Sequence, residues 1–169
     1  MLTGSLNLWI HLVSSGIYAV ATGFVAFISL PRARSRSDAP ARLAAIAAAM
    51  RIYDPLSIAL LGVNLMTGAF AVTNYKAALG PAFFARMGVP LAWKLLFAFL
   101  LINLAAYIAF GIGHRLVSRA HWDEPLDANW VDSMLKRLQT SMILALLLLA
   151  VIIWIALGMT QPGPFPTAA

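Results

Sequence analysis

The chain has 169 residues, of which 62% are hydrophobic and 11% are charged, with a mean hydropathy of +0.84 and a formal net charge of +6. Roughly a quarter of the residues in a soluble domain are charged, so this chain has too few polar groups to cover a water-exposed surface. It contains no cysteine, which excludes disulfides, thiolate metal sites and cysteine nucleophiles. The composition predicts a single helical membrane domain.

Four apolar segments each have the length of about 20 residues that a helix needs to cross the hydrocarbon core of a bilayer. They cover approximately residues 6–30, 55–75, 87–113 and 138–159. None of them alternates strictly between polar and apolar residues, which argues against a transmembrane barrel. We therefore expect an all-α membrane protein whose single domain is a four-transmembrane-helix bundle.

The second predicted helix is longer than its apolar part. Residues 39–53 are rich in alanine and strongly helix-forming, and they follow Asp38. Asp38 suits the N-cap of a helix and Pro40 suits its first turn. The helix is thus expected to begin near residue 39, outside the bilayer, and to kink at Pro55. By the same reasoning we expect Pro90 in the first turn of the third helix.

Basic side chains are concentrated in two of the loops, and this distribution predicts the orientation of the protein in the membrane. The loops after the first and third apolar segments contain nine of them, which are Arg32, Arg34, Arg36, Arg42, Arg51, Arg115, Arg119, Lys136 and Arg137. The loop between the second and third segments has only Lys76 and Arg86. The positive-inside rule therefore predicts a multi-pass protein with both termini outside and the first and third loops in the cytoplasm. We expect the membrane to be a bacterial inner membrane, in which both termini are periplasmic. The tail, residues 160–169, is expected to be extended and external.

The same charge pattern identifies the lipid bilayer as the first partner of the chain. Basic residues beside membrane spans are explained by orientation and by attraction to anionic lipid headgroups. No nucleic-acid-binding motif accompanies the positive charge. We expect no interaction with nucleic acid.

Two ionisable side chains, His11 and Lys94, lie inside predicted spans. Such residues are costly in a bilayer and usually mark a functional site. The predicted topology places both in the outer third of the membrane, where they can approach each other. His11 also belongs to a helix face with spacings of three and four residues, shared with Ser14, Ser15, Tyr18 and Thr22. We expect this face to point into the bundle, because small and polar residues favour helix packing in membranes.

Three interpretations of the pair stay open at this point. In the first, His11 is an axial ligand of haem iron, and Lys94 is either a sixth ligand when neutral or a propionate partner when charged. In the second, His11 carries protons, because imidazole titrates near neutral pH. In the third, His11 merely forms a hydrogen bond to a neighbouring helix while Lys94 extends to the outer interface.

The other polar residues have simpler expected roles. We expect Asn64, Thr67 and Asn103 to form hydrogen bonds between helices. Arg51 and Asp54 are three residues apart, which favours an ion pair on one helix face. His114 is expected at the same end of the bundle, where it is an alternative candidate to ligate a second haem.

Together these landmarks resemble the CopD and HemJ superfamily of small helical membrane proteins. Four elements match the family pattern. His11 is a histidine early in the first span, and residues 30–32 are the Leu-Pro-Arg at its inner end. Residues 50–55 loosely match the Met-Arg-x-Tyr-x-Pro before the second span, and residues 93–94 are the Trp-Lys at the third span. The Asn-Glu-x-Pro-Thr element expected before the last span is missing, and residues 138–141 stand in its place.

HemJ-type proteins are protoporphyrinogen oxidases that bind haem b. The resemblance implies that His11 binds the haem and is its metal ligand, and that Lys94 is a cofactor-binding and catalytic residue. It thus favours a membrane haem protein for electron transfer or for oxidation of a small substrate such as a porphyrinogen.

Two alternative functions come from other classes. The chain suits a non-catalytic accessory subunit of a larger redox or energy-transducing membrane complex, since it has short loops and almost no soluble mass. In either case we expect a homo-oligomer or a subunit of a larger membrane complex. Copper handling, which the CopD side of the resemblance suggests, is the least favoured because the external loops have no cysteine, no histidine cluster and few methionines.

Overall fold

The computed structural model describes residues 2–121 and 126–160, of which 95% are helical and none is in a strand. Its helices are α1 (Leu2–Phe24), α2 (Leu30–Arg34), α3 (Ala39–Leu79), α4 (Phe83–Ala106), α5 (His114–Arg119) and α6 (Ala128–Thr160). A π-helical segment, Val25–Ser29, joins α1 to α2, and a second one, Tyr107–Gly113, joins α4 to α5. The tail that we expect to be extended begins at residue 160, and residues 161–169 lie outside the described part of the chain.

Three continuous helical stretches of the described chain are long and apolar enough to cross a membrane, namely Gly4–Arg34, Ala39–Arg119 and Ala128–Met159. The prediction of an all-α protein with membrane-spanning helices is confirmed at this level. The middle stretch contains both the second and the third predicted spans, so the count of four crossings stays a prediction.

Gly80 divides the middle stretch into α3 and α4. Its backbone has φ 53° and ψ −129°, a conformation that is accessible to glycine and strained for residues with a Cβ atom. A short 3₁₀ helix, Gly80–Ala82, follows and leads into α4 at Phe83. The chain thus has a sequence-encoded turn between its second and third apolar segments.

Prolines and a cap explain where the helices begin. The Asp38 side chain accepts a hydrogen bond of 2.7 Å from the Ala41 backbone N–H and caps α3, as its position predicts. The expectation for Pro90 is wrong, because α4 begins at Phe83 and Pro90 lies inside it. Pro81 is the proline at the helix start, where a missing N–H costs no hydrogen bond. Helix α3 continues through Pro55.

The packed core lies at the end of the bundle that carries most of the basic residues, which we call the basic end. Its fully buried members come from α2, α3, α5, α6 and the second π-helical segment and include Leu30, Leu43, Ile46, Met50, Ile108, Ile112, Leu116, Leu135, Leu138 and Met142. Toward the opposite end, residues 84–100 and 150–159 include no buried side chain. The helices are therefore packed tightly at the basic end and expose apolar side chains along the rest of their length.

Polar contacts connect the helices around this core. Arg42 of α3 forms an ion pair with Asp132 of α6 at 2.7 Å. The Arg34 guanidinium donates a hydrogen bond of 2.5 Å to the Gln139 side chain. The Arg119 guanidinium carbon lies 5.4 Å from the centre of the Trp130 ring, within the range of a cation–π interaction. These contacts attach α2, α3 and α5 to α6.

Two leucines of α6, one buried and one exposed, allow the location of the core to be tested by mutation. Leu138 is fully buried, whereas Leu147 is 59% exposed. We expect Leu138→Ala to lower the free energy of unfolding by about 2–5 kcal/mol, since it leaves a cavity in packed surroundings. Leu147→Ala is the matched control and should change the free energy of unfolding far less. Thermal unfolding of both variants in the same detergent would measure the difference, and equal effects would contradict this location of the core.

Candidate functional site

Five side chains form a polar seam between α1 and α3, consisting of Asn7, His11, Ser15, Asn64 and Thr67. His11 Nδ1 lies 2.8 Å from Thr67 Oγ1, and Ser15 Oγ donates a hydrogen bond of 2.5 Å to Asn64 Oδ1. Asn7 Nδ2 donates to the Thr67 carbonyl oxygen at 3.0 Å. The predicted inward face of the first helix is thus bonded to the second long helix, and the predicted interhelical roles of Asn64 and Thr67 are confirmed.

The hydrogen bonds of Thr67 indicate the tautomer of His11. The Thr67 hydroxyl has one hydrogen, which it donates to the Val63 carbonyl oxygen at 2.7 Å, as threonine commonly does four residues back along a helix. The same hydroxyl therefore accepts a hydrogen bond from His11 Nδ1–H. With Nδ1 protonated, the neutral imidazole has its lone pair on Nε2, the form in which it binds a metal.

The His11 imidazole lies beside Gly68 of α3. A Cβ atom at Gly68 would lie 3.7 Å from His11 Cε1, which is ordinary van der Waals contact. The His11 side chain is half-buried, with Thr67 and Gly68 on one side of its ring. The imidazole is therefore held in one orientation by the hydrogen bond of Nδ1 and by the backbone of α3.

Lys94 lies on α4 and is also half-buried. Its ammonium group is close enough to His11 to interact with it electrostatically, so the structure brings the two predicted site residues to the same region. Lys94 has no carboxylate partner within 4.0 Å among the described residues. A basic group without a counterion next to an oriented imidazole is an arrangement that suits an anionic ligand.

A second group of polar side chains lies nearer the basic end. Thr22 of α1 is fully buried, and its hydroxyl lies 3.1 Å from Tyr53 Oη of α3. Thr22 donates to the Tyr18 carbonyl oxygen at 2.7 Å, so Tyr53 is the donor in the first bond. Asp54 follows Tyr53 on α3. The inward face of α1 therefore contacts polar residues of α3 at two levels.

Three predictions about other residues are not supported by the geometry. No ion pair forms between Arg51 and Asp54, because the Arg51 side chain is exposed while one Asp54 oxygen is buried. The interhelical role of Asn103 is wrong, since its side chain is exposed and donates to the Phe99 carbonyl oxygen of its own helix. His114 is exposed at the basic end, and nothing in its surroundings distinguishes it as a ligand.

The residues present fit a cofactor held by one imidazole. His11 offers one nitrogen lone pair in a fixed orientation, and Lys94 offers a positive charge nearby. In the described part of the chain, no group of three or more His, Asp or Glu side chains lies close enough together to hold a metal ion. A haem supplies four of the iron ligands from its own macrocycle, so a single histidine from the protein is consistent with it.

A shallow apolar groove of about 310 Å³ lies beside the seam. Its walls are formed by α1 and α3 and consist of Trp9, Ile10, Val13, Ser14, Ile17, Leu60 and Val63. His11 and Lys94 are not among these residues. Because the groove is open and almost wholly apolar, it suits a lipid acyl chain better than it suits a polar ligand.

Comparison with known proteins gave no relative from which a function is transferable: no protein-family model, curated protein or solved structure matches this chain. The functional argument therefore depends on the residues of the chain itself.

Proposed function

We propose that this chain is a membrane-embedded b-type haem protein in which His11 Nε2 would bind the haem iron and Lys94 would be its partner. The observation that supports this most directly is the hydrogen bond between His11 Nδ1 and Thr67 Oγ1, which leaves Nε2 with its lone pair. Histidine ligands of metals commonly donate their other ring N–H to a protein acceptor, which fixes the ring orientation and raises its basicity. A bound haem would supply one-electron redox chemistry.

The protein residues would bind, orient and tune the cofactor. His11 would hold the iron, and Thr67 would keep the imidazole in the correct tautomer and orientation. Lys94 would either be the second protein ligand or pair with a propionate, and it is our candidate for a catalytic residue. The function would be electron transfer within a membrane redox system or oxidation of a small substrate such as a porphyrinogen, as the resemblance to HemJ-type proteins implies.

The proposal includes four membrane crossings with both termini periplasmic in a bacterial inner membrane. The turn at Gly80 supports two crossings by the stretch Ala39–Arg119, because it separates two helices that are each long enough. The location of nine basic residues at one end of the bundle supports a cytoplasmic basic end. In this orientation His11 and Lys94 lie toward the periplasmic side.

A second candidate function, a non-catalytic subunit of a larger membrane complex, is favoured by one observation. Asn7, His11, Ser15, Asn64 and Thr67 each form at least one hydrogen bond within the bundle, so the seam joins α1 to α3 without a ligand. In that case His11 would hold α1 and α3 together, and the exposed apolar surface would contact other subunits. The two candidates differ in whether the purified protein carries a chromophore.

A reduced-minus-oxidised visible spectrum of the full chain, purified in detergent after expression with ample haem, tests the proposal. We expect sharp b-type haem bands, because an oriented imidazole in apolar surroundings retains haem. The haem content per chain should be measured on the same sample. A preparation that is folded by circular dichroism but has no bands would overturn the proposal and favour the accessory subunit.

A further inference from the structure

Asp54 carries a carboxyl group at the boundary of the core that the proposed haem site does not use. The side-chain atom Oδ1 is buried and has no hydrogen-bond partner among the described residues. The residue as a whole is only partly buried, so the group is not sealed off from the basic end. Within the described chain, the only other buried side-chain oxygen or nitrogen without a partner is Tyr18 Oη, on the facing helix α1.

Gly113, the last residue of the second π-helical segment, packs directly against this carboxyl group. A Cβ atom at Gly113 would overlap Asp54 Oδ2 and would lie 2.8 Å from Cγ and 2.9 Å from Oδ1. Gly113 and its neighbour Ile112 are buried. The carboxyl group is therefore packed on this side against the backbone of Gly113, and only the absence of a side chain there makes room for it.

Among the described residues, no cation forms an ion pair with Asp54. Arg51, one turn earlier on α3, is exposed and forms no ion pair with Asp54. Two other arginines of the basic end are engaged elsewhere, Arg42 with Asp132 and Arg34 with Gln139. An ionised carboxylate is stable in apolar surroundings only when it is paired and hydrogen-bonded.

The titratable groups on the elements packed against Asp54 do not change this conclusion. From α1 the nearest is Tyr18, and from α3 it is Tyr53, both of which are neutral phenols in a buried position. From α5 they are His114, Arg115 and Arg119, all exposed. No charged side chain of the described residues lies close enough to Asp54 to stabilise its ionised form.

We propose that Asp54 is a proton-exchanging site of the bundle, protonated and neutral in the resting protein and accessible to protons from the basic end. Buried carboxyl groups without a cation favour the protonated form, and intramembrane carboxyl groups of this kind serve in proton relays. The proposal is independent of haem. It predicts that Asp54 reacts with a carbodiimide, because only the protonated acid does so.

The labelling reaction is an addition and needs no further reactant. The carboxyl proton moves to one nitrogen of dicyclohexylcarbodiimide while the carboxylate oxygen bonds to the central carbon, which gives an O-acylisourea. The acyl group then migrates from that oxygen to the nitrogen, so the C–O bond to the acyl carbon breaks as an amide C–N bond forms. The product is a stable N-acylurea, nothing is oxidised or reduced, and nothing leaves.

The experiment is labelling of the full chain in detergent with dicyclohexylcarbodiimide, followed by peptide mapping by mass spectrometry. The chain has six acidic residues, so the labelled position is identified directly. We expect labelling of Asp54 near neutral pH, with a loss of labelling as the pH is raised. A water-soluble carbodiimide should label Asp54 much less, because the carboxyl group faces apolar surroundings.

Three variants make the test specific. Asp54→Asn should lose the label, and Asp132→Asn should retain it, because Asp132 is exposed and paired with Arg42. Arg51→Gln should leave labelling of Asp54 unchanged, whereas a several-fold rise would show that Arg51 keeps Asp54 ionised and would overturn the proposal. Absence of label from Asp54 in the wild-type protein, or labelling independent of pH, would also overturn it. Both of these results are measured on the wild-type protein, so they do not depend on whether a variant folds.

Discussion

Replacing His11 with alanine is expected to abolish the b-type haem spectrum of the purified protein. His11 is the only histidine of the described chain in the polar seam, and its Nε2 is the only imidazole nitrogen there with a free lone pair. Without it, iron would have no imidazole ligand on this side of the bundle. The measurement is the difference spectrum together with the haem content per chain, compared with wild type in the same detergent.

Three further variants separate ligation from loss of structure. His114→Ala and His121→Ala remove exposed imidazoles and should retain the full haem content. Thr67→Val keeps the ligand but removes its hydrogen-bond acceptor, and loss of such a contact typically costs about 10–100-fold in metal affinity. We expect Thr67→Val to bind haem more weakly than wild type and more tightly than His11→Ala. Full haem content in His11→Ala would exclude His11 as the ligand.

Much of the fold follows from local sequence signals. Long apolar runs predict the membrane-spanning helices, because their length must match the bilayer. Asp38 before an alanine-rich stretch predicts the start of α3, and the structure shows the cap at that position. The spacing of polar residues in the first helix predicts an inward face, since helical periodicity places them on one side. Each of these signals is contained within one continuous segment of the chain.

Part of the candidate site was also predictable. His11 is unusual in an apolar run, and Asn64 and Thr67 are unusual in another, so a polar contact between the two helices was a reasonable expectation. The pairing itself depends on which residues come to the same depth, and the structure pairs His11 with Thr67. That the hydroxyl of Thr67 also bonds to its own helix, and so determines the tautomer, requires coordinates.

Contacts between distant segments were not predictable. The spacing of Arg51 and Asp54 favours an ion pair on an isolated helix, but burial of Asp54 against Gly113 decides the outcome. Gly113 is almost sixty residues away in sequence and carries no local signal for this contact. The two π-helical segments likewise have no marker in the sequence, although such segments often occur near functional sites.

Gly113→Ala is expected to destabilise the protein by about 1–3 kcal/mol, the usual cost of inserting a methyl group into a packed site. The new Cβ atom would overlap the Asp54 carboxyl group, which has packed helices around it. In an open helical position, the same substitution is expected to stabilise by up to about 1 kcal/mol because alanine favours helix. Gly62→Ala on α3 is the matched control, since nothing lies within 4 Å of its added Cβ. Thermal unfolding in detergent should therefore show a lower free energy of unfolding for Gly113→Ala and a higher one for Gly62→Ala.

A double-mutant cycle identifies the contact that is responsible. If the Asp54 carboxyl group is what the new methyl group meets, Asp54→Ala should create room for it. Gly113→Ala should then cost little when it is introduced into Asp54→Ala, and the two substitutions should be strongly non-additive. Additive effects would mean that Gly113 tolerates no side chain for another reason, such as the π-helical backbone that ends there. Non-additivity would establish that a glycine on one helix exists to accommodate a carboxyl group on another.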